Sequence, residues 1–169
     1  ANPQENCVTN YKFHGDVGLP TEEVQPERHD ETHEYWPGGQ VKKTTTWRTL
    51  ANGTVEALVS EFEYDKEGRP TKTTHPDGRT TSTSYYPTGL KMSDTDERGQ
   101  TTSYDYDAQG RLHITHFPDG TSERSEYDAE GRREYAYDRS NRETHFLYDK
   151  LGRLRFTIHS DGSVAERQY

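Results

Sequence analysis

The chain has 169 residues, with 21 Lys and Arg against 30 Asp and Glu, a net charge of −9 at pH 7. That sign argues against binding DNA, RNA or heparin by bulk electrostatics. Only 27% of the residues are hydrophobic, so composition alone reads as a disordered chain rather than one with an ordinary core.

Residues 1–34 carry no repeat. They are acidic (Glu22, Glu23, Glu27, Asp30, Glu31, Glu34) and hold Pro20 and Pro26, which reads as a nonrepetitive, extended N-terminal segment. Cys7 stands alone and cannot close an internal disulfide; it reads as an incidental thiol or as a bond to another chain. Residues 35–63 read as a divergent first hairpin. Tyr35-Trp36-Pro37-Gly38-Gly39 supplies one turn and Asn52-Gly53-Thr54 the next, and the step from Tyr35 to Tyr64 predicts longer strands than follow later.

From residue 64 to 169 the chain is periodic. Tyr64, Tyr85, Tyr106, Tyr127, Tyr148 and Tyr169 recur at a fixed interval of about 21 residues. Gly68, Gly89, Gly110, Gly131 and Gly152 keep the same step. So do Gly78, Gly99, Gly120 and Gly162, with Asn141 filling the one gap. Asn is the residue that best replaces Gly at positive φ. Each unit holds two turns. Tyr64-Asp65-Lys66-Glu67-Gly68-Arg69 exemplifies the first and His75-Pro76-Asp77-Gly78 the second, with Asp119-Gly120 and Asp161-Gly162 recurring in the second slot. In such turns Pro presets φ, Asp bonds nearby backbone and Gly takes the left-handed position. Thr- and Tyr-rich alternating segments of about seven residues separate the turns and read as strands. The expected fold is all-β: an antiparallel meander of repeated β-hairpins with a 21-residue period, forming a curved strip.

Strict alternation predicts one mildly apolar, Tyr-rich face. Leu112 with Ile114, and Leu154 with Phe156 and Ile158, would lie on it; Lys72, Thr74, Lys91 and Ser93 make it polar in the earlier units. Stability would come from ladder bonds, cross-strand pairs and stacking of equivalent side chains. No apolar run approaches the roughly 18 residues of a membrane span.

These residues resemble the YD-repeat, or Rhs, family. Tyr64-Asp65-x-x-Gly68-Arg69, Tyr106-Asp107-x-x-Gly110-Arg111, Tyr127-Asp128-x-x-Gly131-Arg132 and Tyr148-Asp149-x-x-Gly152-Arg153 match its motif fully. Tyr85-Tyr86-Pro87-Thr88-Gly89-Leu90 departs from it, and Asp138-Arg139-Ser140-Asn141 departs from the Pro-Asp-Gly turn. The resemblance implies a spirally wound β-strip. In the family, such strips form hollow shells around a polypeptide, as in bacterial polymorphic toxins, insecticidal toxin-complex cocoons and teneurin-like cell-surface proteins. Family shells often end in a self-cleaving region and a variable toxin, and neither is in this sequence, so the chain reads as a fragment of a wall. The implied partners are an enclosed polypeptide, other repeats of a parent protein, or a second copy met through the edge strands. The implied setting is secreted or cell-surface, of bacterial origin.

The Tyr, Asp, Gly and Arg positions of the motif are therefore expected to be architectural. Trp36 and Trp47, which stand outside the period, are the candidates for contact with a ligand such as a glycan. His29, His33, Glu31 and His14 could be drawn into a zinc site, but scattered histidines in a polar chain explain them as well. No metal, cofactor, nucleic acid or catalytic set is expected. The acids sit in turn positions, and no Gly-x-Gly-x-x-Gly loop occurs.

Overall fold

The computed structural model describes the backbone of residues 10–13 and 20–24 and the whole of residues 31–169. Cys7, His14 and His29, for which the sequence raises a thiol bond and a zinc site, lie outside these described residues. Fifteen strands and no helix occur among them. The chain divides into two compact units, one of residues 1–83 with 96–99 and one of residues 84–95 with 100–169.

The first unit holds β1 (Asn10–Phe13), β2 (Pro20–Val24), β3 (Glu31–Tyr35), β4 (Val41–Thr49), β5 (Val55–Tyr64) and β6 (Pro70–Thr74). β7 (Thr80–Tyr85) begins in it. β4 and β5, of 9 and 10 residues, are the long strands expected of the divergent hairpin. The second unit holds β8 (Lys91–Thr95), β9 (Thr101–Tyr106), β10 (Leu112–His116) and β11 (Ser122–Tyr127). It continues through β12 (Arg133–Tyr137), β13 (Glu143–Tyr148), β14 (Leu154–His159) and β15 (Val164–Glu166). Sheet order within each unit is chain order. Within each unit, successive strands pair antiparallel, as a meander requires.

One backbone turn serves both kinds of hairpin. Asp107 N–H donates to Arg111 C=O at 2.9 Å, and Gly110 N–H donates to Asp107 C=O at 3.0 Å. Phe117, Thr121 and Gly120 repeat this at 2.9 and 3.0 Å. It is the type I turn closed by a left-handed residue, whose twist suits an antiparallel pair. Gly110 has φ +79° and Gly120 +81°, while Asn141 holds the same place at φ 57°. Asn141 fits because its short polar side chain tolerates the left-handed region.

The hairpins that follow a Tyr carry a β-bulge that alternation does not reveal. Tyr106 pairs with Leu112, but Asp105 pairs with Ile114, so His113 is the extra residue. The same slip follows Tyr35, Tyr64, Tyr127 and Tyr148. A one-residue slip moves every later side chain to the other face. The expected single apolar face is therefore corrected: Leu112 lies with Tyr104 and Tyr106, whereas Ile114 lies opposite them with Asp105. Likewise Leu154 pairs with Tyr148 while Phe156 pairs with Leu147. Apolar groups are shared between the two faces, and no side chain is buried among the described residues.

Candidate functional site

The period builds a clasp at each Tyr-Asp-x-x-Gly-Arg turn. Asp107 Oδ1 accepts the N–H of Gln109 and of Arg111, both at 2.9 Å, while Oδ2 accepts Arg111 Nε at 2.6 Å. Asp65 does the same with Glu67 and Arg69, and Asp149 with Leu151 and Arg153. Asp128 takes the N–H and Nε of Arg132 at 2.8 and 2.7 Å. One carboxylate thus closes the turn and orients the guanidinium.

The oriented guanidinium then reaches the next unit. Arg111 lies 4.4 Å from the ring centre of Tyr127, Arg132 4.6 Å from Tyr148, and Arg153 4.7 Å from Tyr169. Such stacking is a cation–π contact. The Tyr beneath it points back: Tyr127 Oη donates to Leu112 C=O at 2.7 Å, Tyr148 to Arg133 C=O at 2.8 Å, and Tyr169 to Leu154 C=O at 2.9 Å. Those carbonyls lie where ladder pairing has stopped. The β10–β11 ladder ends at Ile114 and Arg124. Beyond it the Tyr127 hydroxyl takes Leu112 C=O, and His113 Nδ1 bonds Ser125 C=O at 2.8 Å. A backbone acceptor left without a strand partner needs another donor. That explains Tyr rather than Phe at this position.

The clasp also sets protonation. Partial desolvation pushes the carboxyls of Asp65, Asp107 and Asp128 up, but hydrogen bonds from the following Arg main chain and guanidinium outweigh it and hold them below the usual carboxylate range. For Asp138 and Asp149 the N–H groups of Arg142 and Arg153 are the leading cause of the same lowering.

The second turns place their Asp two residues later. Asp77 Oδ1 accepts Arg79 N–H at 3.0 Å, Asp119 accepts Thr121 N–H at 3.1 Å and Asp161 accepts Ser163 N–H at 2.9 Å. Gly78, Gly120 and Gly162 close these turns at φ +81° to +82°. One second turn is of the other kind. Tyr137-Asp138-x-x-Asn141-Arg142 forms a full clasp, with Arg142 Nε 2.7 Å from Asp138 Oδ2. The sequence carried this signal, with Asn in the Gly slot.

Four further residues enter the pattern by position alone. Trp36 occupies the Asp place of the β3–β4 turn and Gln40 the Arg place. A Cβ added at Gly68 would lie 3.0 Å from Gln40, as one at Gly131 would lie 3.3 Å from Arg111. At the turn of Tyr86 to Leu90, Leu90 stands over Gly110 in the same manner, at 3.6 Å. Tyr86 replaces the Asp, donating to Tyr104 C=O at 3.2 Å.

The two tryptophans have different surroundings. Trp36 is 40% exposed and rims an open cavity of about 450 Å³ with Gln40, Glu63, Tyr64 and Asp65. Its Nε1 donates to Phe62 C=O at 3.3 Å, and Lys42 Nζ lies 5.0 Å from its ring centre. Trp47 sits within β4 opposite Ala57 and does not line that cavity. His33 contacts Glu31 at 3.7 Å and Thr44 at 3.1 Å. No group of three or more His, Cys, Asp or Glu suited to a metal occurs among the described residues.

Turn, bulge and clasp recurring in phase define a class: an all-β protein of tandem hairpin repeats. The Rhs repeat model matches residues 35–80 and 85–122, and with the four in-phase Tyr-Asp-x-x-Gly-Arg motifs this places the chain in the Rhs, or YD-repeat, family. No curated protein matches the chain. Among solved structures, the chain is similar to TcdB2-TccC3-Cdc42, with a TM-score of 0.68 and 12% identity over 94% of this chain and 9% of that one. It is also similar to TcdB2-TccC3-TEV, with a TM-score of 0.67 and 17% identity over 95% of this chain and 9% of that one. A third, TcdB2-TccC3 without its hypervariable C-terminal region, matches with a TM-score of 0.67 and 13% identity over 93% and 9%. These likenesses establish the fold. The chain spans about a tenth of the length of the solved chains it matches.

Proposed function

We propose that the chain is a structural wall segment of a YD-repeat shell that encloses or presents another polypeptide, such as a toxin, at a secreted or cell-surface location in a bacterium. The observation that carries this reading is the clasp. The motif Asp, Arg and Tyr of successive units are engaged with the turn, with one another and with backbone carbonyls. Their work is to join repeats, and the role is architectural rather than catalytic. Its partners would be other repeats and the enclosed polypeptide.

The exposed Trp36 beside a cavity favours a second reading, an extracellular module that binds carbohydrate by aromatic stacking. A glycan array run alongside light scattering over a concentration series separates the two. A wall segment binds no glycan and associates with further repeats through its sheet edges. Saturable glycan binding by a monomer, lost in Trp36→Ala, would overturn the wall reading.

A further inference from the structure

In two of the second turns, the residue at the second of five turn positions reaches back to the second turn before it. Glu97 lies 3.6 Å from His75 Nε2 and 3.5 Å from Arg79 Nη1. Arg139 Nε donates to Thr121 Oγ1 at 2.8 Å, its Nη2 bonds Asp119, and its guanidinium lies 4.4 Å from the ring centre of Phe117. The charge of the incoming side chain follows the fifth position of the turn that receives it. Arg79, which already holds Asp77 at 3.4 Å, meets an acid. Thr121, a neutral hydroxyl beside Asp119, meets a guanidinium. In each case the contact lies on the flank of the receiving turn that faces the following turn.

The turn of residues 159–163 repeats the receptor that takes Arg139. His159, Asp161 and Ser163 stand at the positions of Phe117, Asp119 and Thr121. Asp161 Oδ1 accepts Ser163 N–H at 2.9 Å, as Asp119 Oδ1 accepts Thr121 N–H at 3.1 Å. In both turns the hydroxyl and N–H of the fifth residue are the leading causes that hold the Asp carboxyl below its usual range, so both carboxylates are charged at neutral pH. The two flanks of the turn differ. Toward the 138–142 turn lie Ser160, too short to repeat Arg139's reach, and an open cavity of about 420 Å³. The opposite flank is the one on which the 117–121 turn holds its guanidinium, and here it is bare among the described residues. His159 and Ser163 are exposed, whereas Phe117 and Thr121, with Arg139 against them, are half-buried.

We infer that this outer flank docks the second turn of another Rhs-repeat hairpin, and that an arginine at the second position of that turn is received by His159, Asp161 and Ser163. The match is chemical. A planar guanidinium lies on a ring while donating to a carboxylate and a hydroxyl, a combination that an ammonium meets less well. The strand that follows the turn supports the same partner. β15 pairs with β14 alone, so its outer edge is open to the first strand of an incoming hairpin, as β11 takes β12. The inference rests on the wall reading and names the side-chain contact by which a further repeat would join this edge.

The test is a titration of the full ¹⁵N-labelled chain with a synthetic peptide of residues 128–148, the hairpin that follows the 117–121 turn and carries Arg139. Saturable amide shifts at residues 159–166 are expected. A peptide with Arg139→Ala should bind about tenfold more weakly, the loss of one charge-assisted pair. Asp161→Asn in the chain should lose as much with the parent peptide and nothing further with the Arg139→Ala peptide. This variant keeps its turn, because Asn52 holds the same slot and accepts Thr54 N–H at 3.0 Å. Ser163→Arg gives the turn the fifth residue that Arg79 supplies to the 75–79 turn. It should reverse the preference, weakening the parent peptide and favouring one with Arg139→Glu. Equal binding of the parent and Arg139→Ala peptides, or additive losses from Arg139→Ala and Asp161→Asn, would overturn the arginine assignment while the wall reading stood. No binding of the parent peptide would overturn the docking itself, and with it the joining of repeats at this edge.

Discussion

The two kinds of turn share one backbone but reach their neighbours differently. At the Tyr-Asp turns of β9–β10, β11–β12 and β13–β14 the link is uniform: Asp holds Arg, Arg stacks on the next Tyr, and Tyr caps a carbonyl. At the second turns the link is particular: Glu97 on a His and an Arg, Arg139 on a Phe, an Asp and a Thr, and Ser160 beside a cavity. Uniformity marks the positions that set the repeat. Variation marks the positions free to diverge.

Backbone changes should break the shared element most strongly. Gly110→Val places a β-branched residue at φ +79°, where strain costs about 2 kcal/mol. Its urea midpoint should fall clearly below that of the parent, and an unchanged midpoint would refute the turn assignment. Gly120→Ala isolates the strain, since nothing lies within 4 Å of its added Cβ; a loss of about 1 kcal/mol is expected.

Next in size is the loss of the uniform link. Tyr148→Phe deletes the hydroxyl that caps Arg133 C=O, and at this partly exposed site the cost should be about 0.5 kcal/mol. The thermal midpoint should drop while the circular dichroism of the folded state stays the same. A midpoint equal to the parent's would mean that water serves that carbonyl as well as Tyr does.

Acid should act on both turn kinds, because hydrogen bonds from Thr121 and Ser163 lower Asp119 and Asp161 as well. The clasp carboxyls of Asp65, Asp107, Asp128, Asp138 and Asp149 all titrate below their ordinary value. Their stabilisation is therefore complete above the unfolded value of about 3.9 and is lost as pH falls through the lower folded values. Unfolding midpoints at pH 7, 5.5 and 2.5 should be level between the first two and lower at the third. Asp107→Asn should flatten that fall, and an unaltered pH profile would assign the acid sensitivity elsewhere. The smallest effect is expected of Asn141→Gly, within about 0.5 kcal/mol of the parent by urea titration, because Asn already suits φ 57°.

The period, the turn positions and the antiparallel meander were legible in the sequence because turn chemistry is local: Asp, Pro and Gly act within four residues. The bulges were not. His113 is an ordinary strand residue whose insertion leaves the 21-residue step intact, so alternation gave a single apolar face where the structure shows two mixed ones. The partners of the clasp were hidden for a related reason. Arg111 meets Tyr127 and Tyr127 meets Leu112 across the sheet, and a repeat count gives the spacing but not which residues touch. Asp138 was readable in principle, since Tyr137, Asn141 and Arg142 complete its motif. Gln40 and Leu90 were recognisable only once their place over Gly68 and Gly110 was known.

With no side chain buried among the described residues, unfolding exposes little apolar surface that was not already wet. The heat-capacity increment per residue should then fall below the ~12–15 cal/mol/K of globular domains, which flattens the curve of stability against temperature. Links confined to adjacent units also let an end unit detach without the rest, so melting would proceed by fraying inward rather than by a single collective event.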